Sequence, residues 1–357
     1  MHQNHIIGFE AIFMTEQWRD DLATRQGQPD ADDDSGLTVS DRPASDCQIF
    51  DLSWLGLIAV RGADAATFLQ GQLTNDMAQV TATRTQLSGY CNQKGRLLAS
   101  FRVMRIGEVI YLQTPAERLP ELLQRLRIFI LRSKVTLEDA SHALMRIGIA
   151  GDQTESLLAE QGLSLPAQDY DLSRHGDLSV IRLAGAIPRA EILGTGSAIH
   201  PLWGRLASQT MPASADDWRR IDIQAGIPAI YNQTADAFIP QMVNLQRLDG
   251  LSFSKGCYTG QEVIARMQHL GTIKRRMYLT ELTSSSPPQP GDELYAPSSV
   301  SQQPTGRVVD VVPLGNDRYL LLAVVEISAV AGGAVRLGEQ GPELQFTEPP
   351  YGFPADL

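Results

Sequence analysis

The sequence predicts an α+β fold with antiparallel sheets, followed by a small C-terminal β-barrel. Three observations predict it. From Ile49 to about residue 279, strand-like and helix-like runs are mixed in a way that suits antiparallel sheets better than a doubly wound parallel sheet. A Pro- and Ser-rich joint, SSSPPQPGD (Ser284–Asp292), then interrupts the chain. Beyond it, ELYA, GRVVDVV, RYLLLAVVEI, AVRLG and LQFTE are short strand-like runs separated by Gly, Pro and Asn-Asp, the pattern of a small all-β domain. A length of 357 residues exceeds what one core usually serves. The expected organisation is a tail over 1–45, an α+β region over 46–279 with a middle subdomain near 136–212, and the barrel over 280–350.

The elements follow in order. QGQPDADDDSGLTVSDRPASD is acidic and rich in turn formers, so residues 1–45 read as a flexible tail, with Met1 and Met14 both open as the start. DLSWLGLIAVRG is a strand ended by Gly62, and Ala65, Phe68 and Leu69 then recur at helical spacing. TQLSGYCN and GRLLASFRVMRI flank a turn at Asn92–Gly95, and VIYLQT follows a tight turn at Gly107. Leu119, Leu122, Leu123, Leu126 and Ile130 share one face of a helix over 117–130. KVTLEDAS, ALMRIGIAG and LSVIRLAG are further strands, while TESLLAEQG and IHPLWGRLASQ are helical.

Composition excludes several classes. Hydrophobic content of 43% and charged content of 20% fit a globular protein with ample core material. No apolar stretch approaches the roughly 20 residues of a membrane span, and MHQNHIIGFEAIF lacks the basic start and small-residue cleavage site of a signal peptide, so neither export nor a membrane partner is expected. A net charge of −11 opposes general binding to a phosphate backbone. Three scattered cysteines, Cys47, Cys91 and Cys257, make no disulfide framework and point to a reducing cytoplasm. No CxxC pair or metal-ligand spacing of histidines occurs, so the chain alone is expected to bind no metal.

The chemistry concentrates in Asp217–Arg276. In SKGCYTGQE, Gly256 and Gly260 bracket Cys257, and Gln261, Glu262 and the helical run VIARMQ follow. A thiol at a loop-to-helix junction, with Lys255 two residues away, is favoured as thiolate and so as nucleophile. The commoner fate of a lone cysteine is a small, inert, buried hydrophobe, and the residues alone leave both readings open.

KGCYTGQE, preceded by AGIP and FIPQMVNLQ and followed by Arg266 and Leu270-Gly271, resembles the signature of the YgfZ family of folate-binding proteins. These are relatives of the aminomethyltransferase, or T-protein, of the glycine cleavage system. FLQGQLTND (Phe68–Asp76) and GYCNQKGRLL (Gly89–Leu98) extend the resemblance, which covers roughly residues 48 to 350. It implies an aminomethyltransferase-like body that binds tetrahydrofolate or another reduced folate. It also implies support of iron–sulfur enzymes or cluster-assembly proteins, felt indirectly in tRNA modification. The motif residues carried over are Lys255, Gly256, Cys257, Tyr258, Gly260, Gln261, Glu262 and Arg266.

Two departures from the transferase pattern stand out. The positions that should hold its catalytic aspartate are Ala99 and Ser100, neither of which can act as a carboxylate acid or base. Gln224 stands where relatives often carry Glu. The expectation is therefore an accessory protein and not a transferase. The alternatives are a folate-dependent one-carbon or methyl transferase using Glu262 or Asp76, and a tRNA-binding protein using basic turns such as Lys94–Arg96 and Lys274–Arg276. Folate contacts are expected from Trp218 and Trp54 by ring stacking, and from Gln224, Gln241 and Asn244 by polar contacts.

Overall fold

The computed structural model describes residues 46–296 and 303–353, so the expected tail and the question of the start lie outside the described residues. The described residues divide into two compact units, 46–55 with 139–218, and 56–138 with 219–296 and 303–353.

The first unit is built on a six-stranded sheet in the order β11-β1-β7-β10-β9-β8. Its strands are β1 (Gln48–Asp51), β7 (Met145–Ala150), β8 (Leu172–His175), β9 (Leu178–Arg182), β10 (Arg189–Gly194) and β11 (Met211–Ala213). All neighbours run antiparallel except β1 and β11, which are parallel. Two helices, α3 (Thr154–Glu160) and α4 (Gly196–Ala207), cover it. Their buried faces, Leu157 and Leu158 on one and Ile199, Leu202, Trp203 and Leu206 on the other, join the sheet's isoleucines in one core.

The second unit carries two sheets. The first has the order β3-β4-β5-β2-β6: β2 (Leu55–Arg61), β3 (Gln86–Cys91), β4 (Leu97–Ile106), β5 (Val109–Pro115) and β6 (Thr136–Asp139). Helix α1 (Ala65–Gln70) buries Ala65, Phe68 and Leu69 against it. Helix α2 (Leu119–Ile128) buries Leu119, Leu122, Leu123 and Leu126, the stripe its spacing predicts. It starts two residues later than the sequence suggests, because residues 116–118 form a tighter turn ahead of Pro120, which suits a first helical turn.

The C-terminal sheet is antiparallel, in the order β16-β13-β14-β15-β12-β17, and curls as half a barrel. Its strands are β12 (Arg275–Thr283), β13 (Glu293–Tyr295), β14 (Gly306–Gly315), β15 (Arg318–Glu326), β16 (Arg336–Leu337) and β17 (Gln345–Thr347). The Pro- and Ser-rich stretch 284–292 is the connection from β12 to β13 within this sheet. The remaining helices are α5 (Ala215–Gln224), α6 (Gln261–Leu270) and the short α7 (Ile327–Ala331). Among the described residues, no helix is long and apolar enough to cross a membrane.

Candidate functional site

The hairpin β3–β4 is the seat of the site. Its turn is tied by Asn92, whose Oδ1 accepts the main-chain N–H of Lys94 at 2.9 Å and of Arg96 at 3.1 Å. The same residue's amide donates to Asp236 Oδ1 at 2.5 Å. The main chain of Leu97 exchanges hydrogen bonds with Phe238 and Asp236, both 2.7 Å long, and Arg96 Nη1 donates to the Ala237 carbonyl at 2.6 Å. Segments about 140 residues apart in sequence are thereby joined strand-fashion, so the turn's main chain finds partners at this edge.

The cysteine loop lies on the same turn. Gly260 has φ +84°, and a side chain there would place its Cβ 2.4 Å from the Asn92 carbonyl oxygen and 2.9 Å from Gly95 Cα. Only glycine meets both the left-handed backbone and the close approach. At the other end of the loop, Lys255 is buried, and its ammonium donates to the carbonyls of Gln70, Leu73 and Asn75 at 2.8, 2.7 and 2.8 Å. Thr259 N donates to Gly71 O, and Ser252 N to Thr74 O. The Thr74 hydroxyl donates to Gly250 O at 2.8 Å and accepts from Gly89 N at 2.7 Å. FLQGQLTND, GYCNQKGRLL and SKGCYTGQE thus interlock through main-chain groups.

Between these anchors the side chains part company. Tyr258 turns inward, 7% exposed, and the Lys255 ammonium lies 5.1 Å from its ring centroid. Burial pushes the Tyr258 hydroxyl well above its usual range, and the thiol of Cys91 nearby pushes the same way. Cys91 itself is buried, and burial pushes its thiol far up. Cys257 is exposed. The lysine expected to assist that thiol is occupied instead: its donors close on three carbonyls, and burial lowers it to about 8 against the opposing carboxylate of Asp76. It acts on the position of the loop. Gln261 opens α6, and Glu262 pairs with Arg266 at 2.8 Å, one turn on, across an exposed face.

The residues expected at a folate are divided between the two units. Trp218 is 1% exposed, its ring 5.0 Å edge-on from Phe50, with the Arg189 guanidinium 5.3 Å from its centroid. The ring fills the space left open by Gly148, where a Cβ would come within 2.5 Å of it. Trp54, in the same unit, is partly buried and its indole N–H has no partner among the described residues. In the second unit, Asn244 donates to the Met277 carbonyl at 2.8 Å and to the Tyr351 hydroxyl at 3.0 Å, holding the C-terminal segment. Gln241 is fully buried, gives its amide N–H to the Ile264 carbonyl at 2.8 Å, and leaves its Oε1 unpartnered among the described residues. Gln224 is exposed near the end of α5.

The transferase position is likewise resolved. Ala99 is fully buried in the core, and the Ser100 hydroxyl donates to the Pro228 carbonyl at 3.0 Å. Asp76, one carboxylate weighed as a substitute, caps the turn at 77–79 by accepting from Ala78 N and from the Gln70 amide, both at 3.0 Å. Sequence reasoning passed over Asn92, Asp236 and Thr74, whose roles depend on partners remote in sequence. Among the described residues, no group of His, Cys, Asp and Glu is placed to hold a metal ion.

Comparison with known proteins bears on the fold. Residues 42–185 match the GCVT N-terminal domain. The chain is 29% identical over 321 residues to the "tRNA-modifying protein YgfZ" of Yersinia enterocolitica serotype O:8 / biotype 1B, covering 90% of this chain and 96% of that one. The protein of the same name from Yersinia pestis strain Pestoides F is 29% identical over 301 residues, covering 84% and 91%. Among solved structures, glycine cleavage system aminomethyltransferase T from Bartonella henselae superposes with a TM-score of 0.66 at 17% identity, over 86% of this chain and 87% of that one. The chain is thus similar to the YgfZ proteins over most of its length and has the fold of an aminomethyltransferase.

Proposed function

We propose that this protein binds a reduced folate and, as an accessory protein, supports iron–sulfur enzymes through the thiol of Cys257, tRNA modification being the downstream result. The observation that carries the proposal is the exposed Cys257 thiol on a loop fixed at both ends, by Lys255 and by Gly260. A fixed main chain presents the sulfur in one place at little ordering cost when a partner arrives. The relatives' name supports the link to tRNA, and the aminomethyltransferase fold supports the folate.

One candidate contact fits a ligand on chemical grounds. The Gln241 oxygen is a buried polar atom without a partner among the described residues, the condition that a bound molecule relieves. Trp218, enclosed by core residues, is assigned to packing. When bound, the folate would supply a one-carbon carrier. The chain's own part is to orient it, since a methyl group at Ala99 and a hydroxyl committed to Pro228 supply no acid or base for transfer.

The test is a pair of measurements on the purified chain. Tetrahydrofolate should bind saturably, with Gln241→Ala weakening it, and labelled methylene-tetrahydrofolate should not turn over. Turnover would establish the transferase reading, and absence of saturable binding would remove the folate from the account.

A further inference from the structure

The turn that receives Gly260 also contributes Lys94 and Arg96 to a cavity of about 560 Å³ in the second unit. Arg275 and Arg307, from β12 and β14, enter the same lining, while Phe238, Met242 and Val324 supply apolar wall. The lining holds four cations against two carboxylates, Asp236 and Glu293, in a chain whose net charge is −11. A concave excess of one sign focuses the local field, and here its sign opposes that of the whole molecule.

The cations are unequally committed. Arg307 pairs with Glu293 at 2.8 Å, and Arg275 with Glu326 at 2.9 Å. Arg96 gives one nitrogen to the Ala237 carbonyl and, among the described residues, has no carboxylate partner. Among the same residues the Lys94 side chain has no partner at all. Asp236 is already engaged by the Asn92 amide, which lessens its claim on the cations. Guanidinium groups present planar forks that match carboxylate or phosphoryl oxygens, and the volume lies within the range of small-molecule sites.

We infer that this cavity is a binding site for a small oxyanion carrying at least two negative charges, through carboxylate or phosphoryl oxygens, held by Lys94, Arg96, Arg275 and Arg307. The site does not depend on the folate reading. Calorimetric titration of the full chain with pyrophosphate and, separately, with citrate tests it and tells the two oxyanion chemistries apart. Saturable binding of one or both, weakening as salt rises, is expected. Lys94→Gln and Arg307→Gln should each weaken it at least about tenfold, what losing a charge-assisted hydrogen bond costs. Arg318→Gln, whose guanidinium pairs with Glu281 outside the cavity, should bind as the parent does. Lys94→Gln breaks no side-chain hydrogen bond or ion pair among the described residues, so its melting temperature should be unchanged and its binding loss interpretable. Failure of both probes to bind, parental affinity in both cavity variants, or an equal loss in Arg318→Gln would overturn the site.

Discussion

In the unit of residues 46–55 and 139–218, Gly148 on β7 leaves a space that the Trp218 indole fills; in the other unit, Gly260 leaves a space taken by the Asn92 carbonyl. The two close approaches are nearly the same, 2.5 Å and 2.4 Å from an added Cβ. Their consequences are opposite. The first glycine is a socket for a side chain, which is thereby withdrawn from solvent and from any ligand. The second joins two main-chain segments, so the side chains of its loop are left to their own surroundings: Tyr258 goes inward and Cys257 stays outside. A glycine beside a distinctive side chain therefore signals close packing, and only the identity of what packs there decides between core and site.

Chemistry at the thiols puts this contrast under the greatest strain. At mildly alkaline pH, iodoacetamide should modify Cys257 in the native protein, while Cys47 and Cys91 should react only after denaturation. Cys47 and Cys91 are both buried, and burial holds Cys91 as the thiol well beyond that pH. Peptide mapping by mass spectrometry reads the order, and modification of Cys91 ahead of Cys257 would reverse the contrast.

The socket side predicts the next largest effect. Trp218→Ala should cost about 3–5 kcal/mol in denaturant unfolding, because it empties the core beside Phe50 and Gly148. A fully stable variant with weakened folate binding would return Trp218 to a ligand.

The joint side predicts smaller losses. Gly260→Ala should cost about 1–3 kcal/mol, from a left-handed backbone and the contact with Asn92. Lys255→Met should cost a similar amount, about 1–3 kcal/mol, by leaving the carbonyls of Gln70, Leu73 and Asn75 without their donor. Both variants should raise hydrogen exchange across 255–260 and 70–75 together; an increase in one segment alone would show that the lysine does not join them.

Much of this is legible in the chain itself. The stripe on α2 follows from spacing, and the hairpin at 89–98 from its turn residues, because both are local properties of the chain. The glycine frame around Cys257 is visible too, although its reason is not. What the sequence does not show is where long side chains go. Lys255 reads as an electrostatic neighbour of Cys257, yet its donors close on a segment some 180 residues away. Asn244 reads as a ligand contact, yet it holds Met277 and Tyr351. The short parallel pairing of β11 with β1 has no local signal either. These contacts form only once distant parts of the chain have been brought together by folding.

If the exposed thiol is the working group and the rest of the loop its mount, complementation of a strain lacking this protein tests it most directly, with iron–sulfur enzyme activity as the readout. Cys257→Ser replaces one exposed atom and should change stability by less than about 0.5 kcal/mol. It should nevertheless fail to restore activity, while Cys91→Ser restores it to the extent that it folds. Full restoration by Cys257→Ser would contradict the account and move the function from the thiol to the surfaces around it.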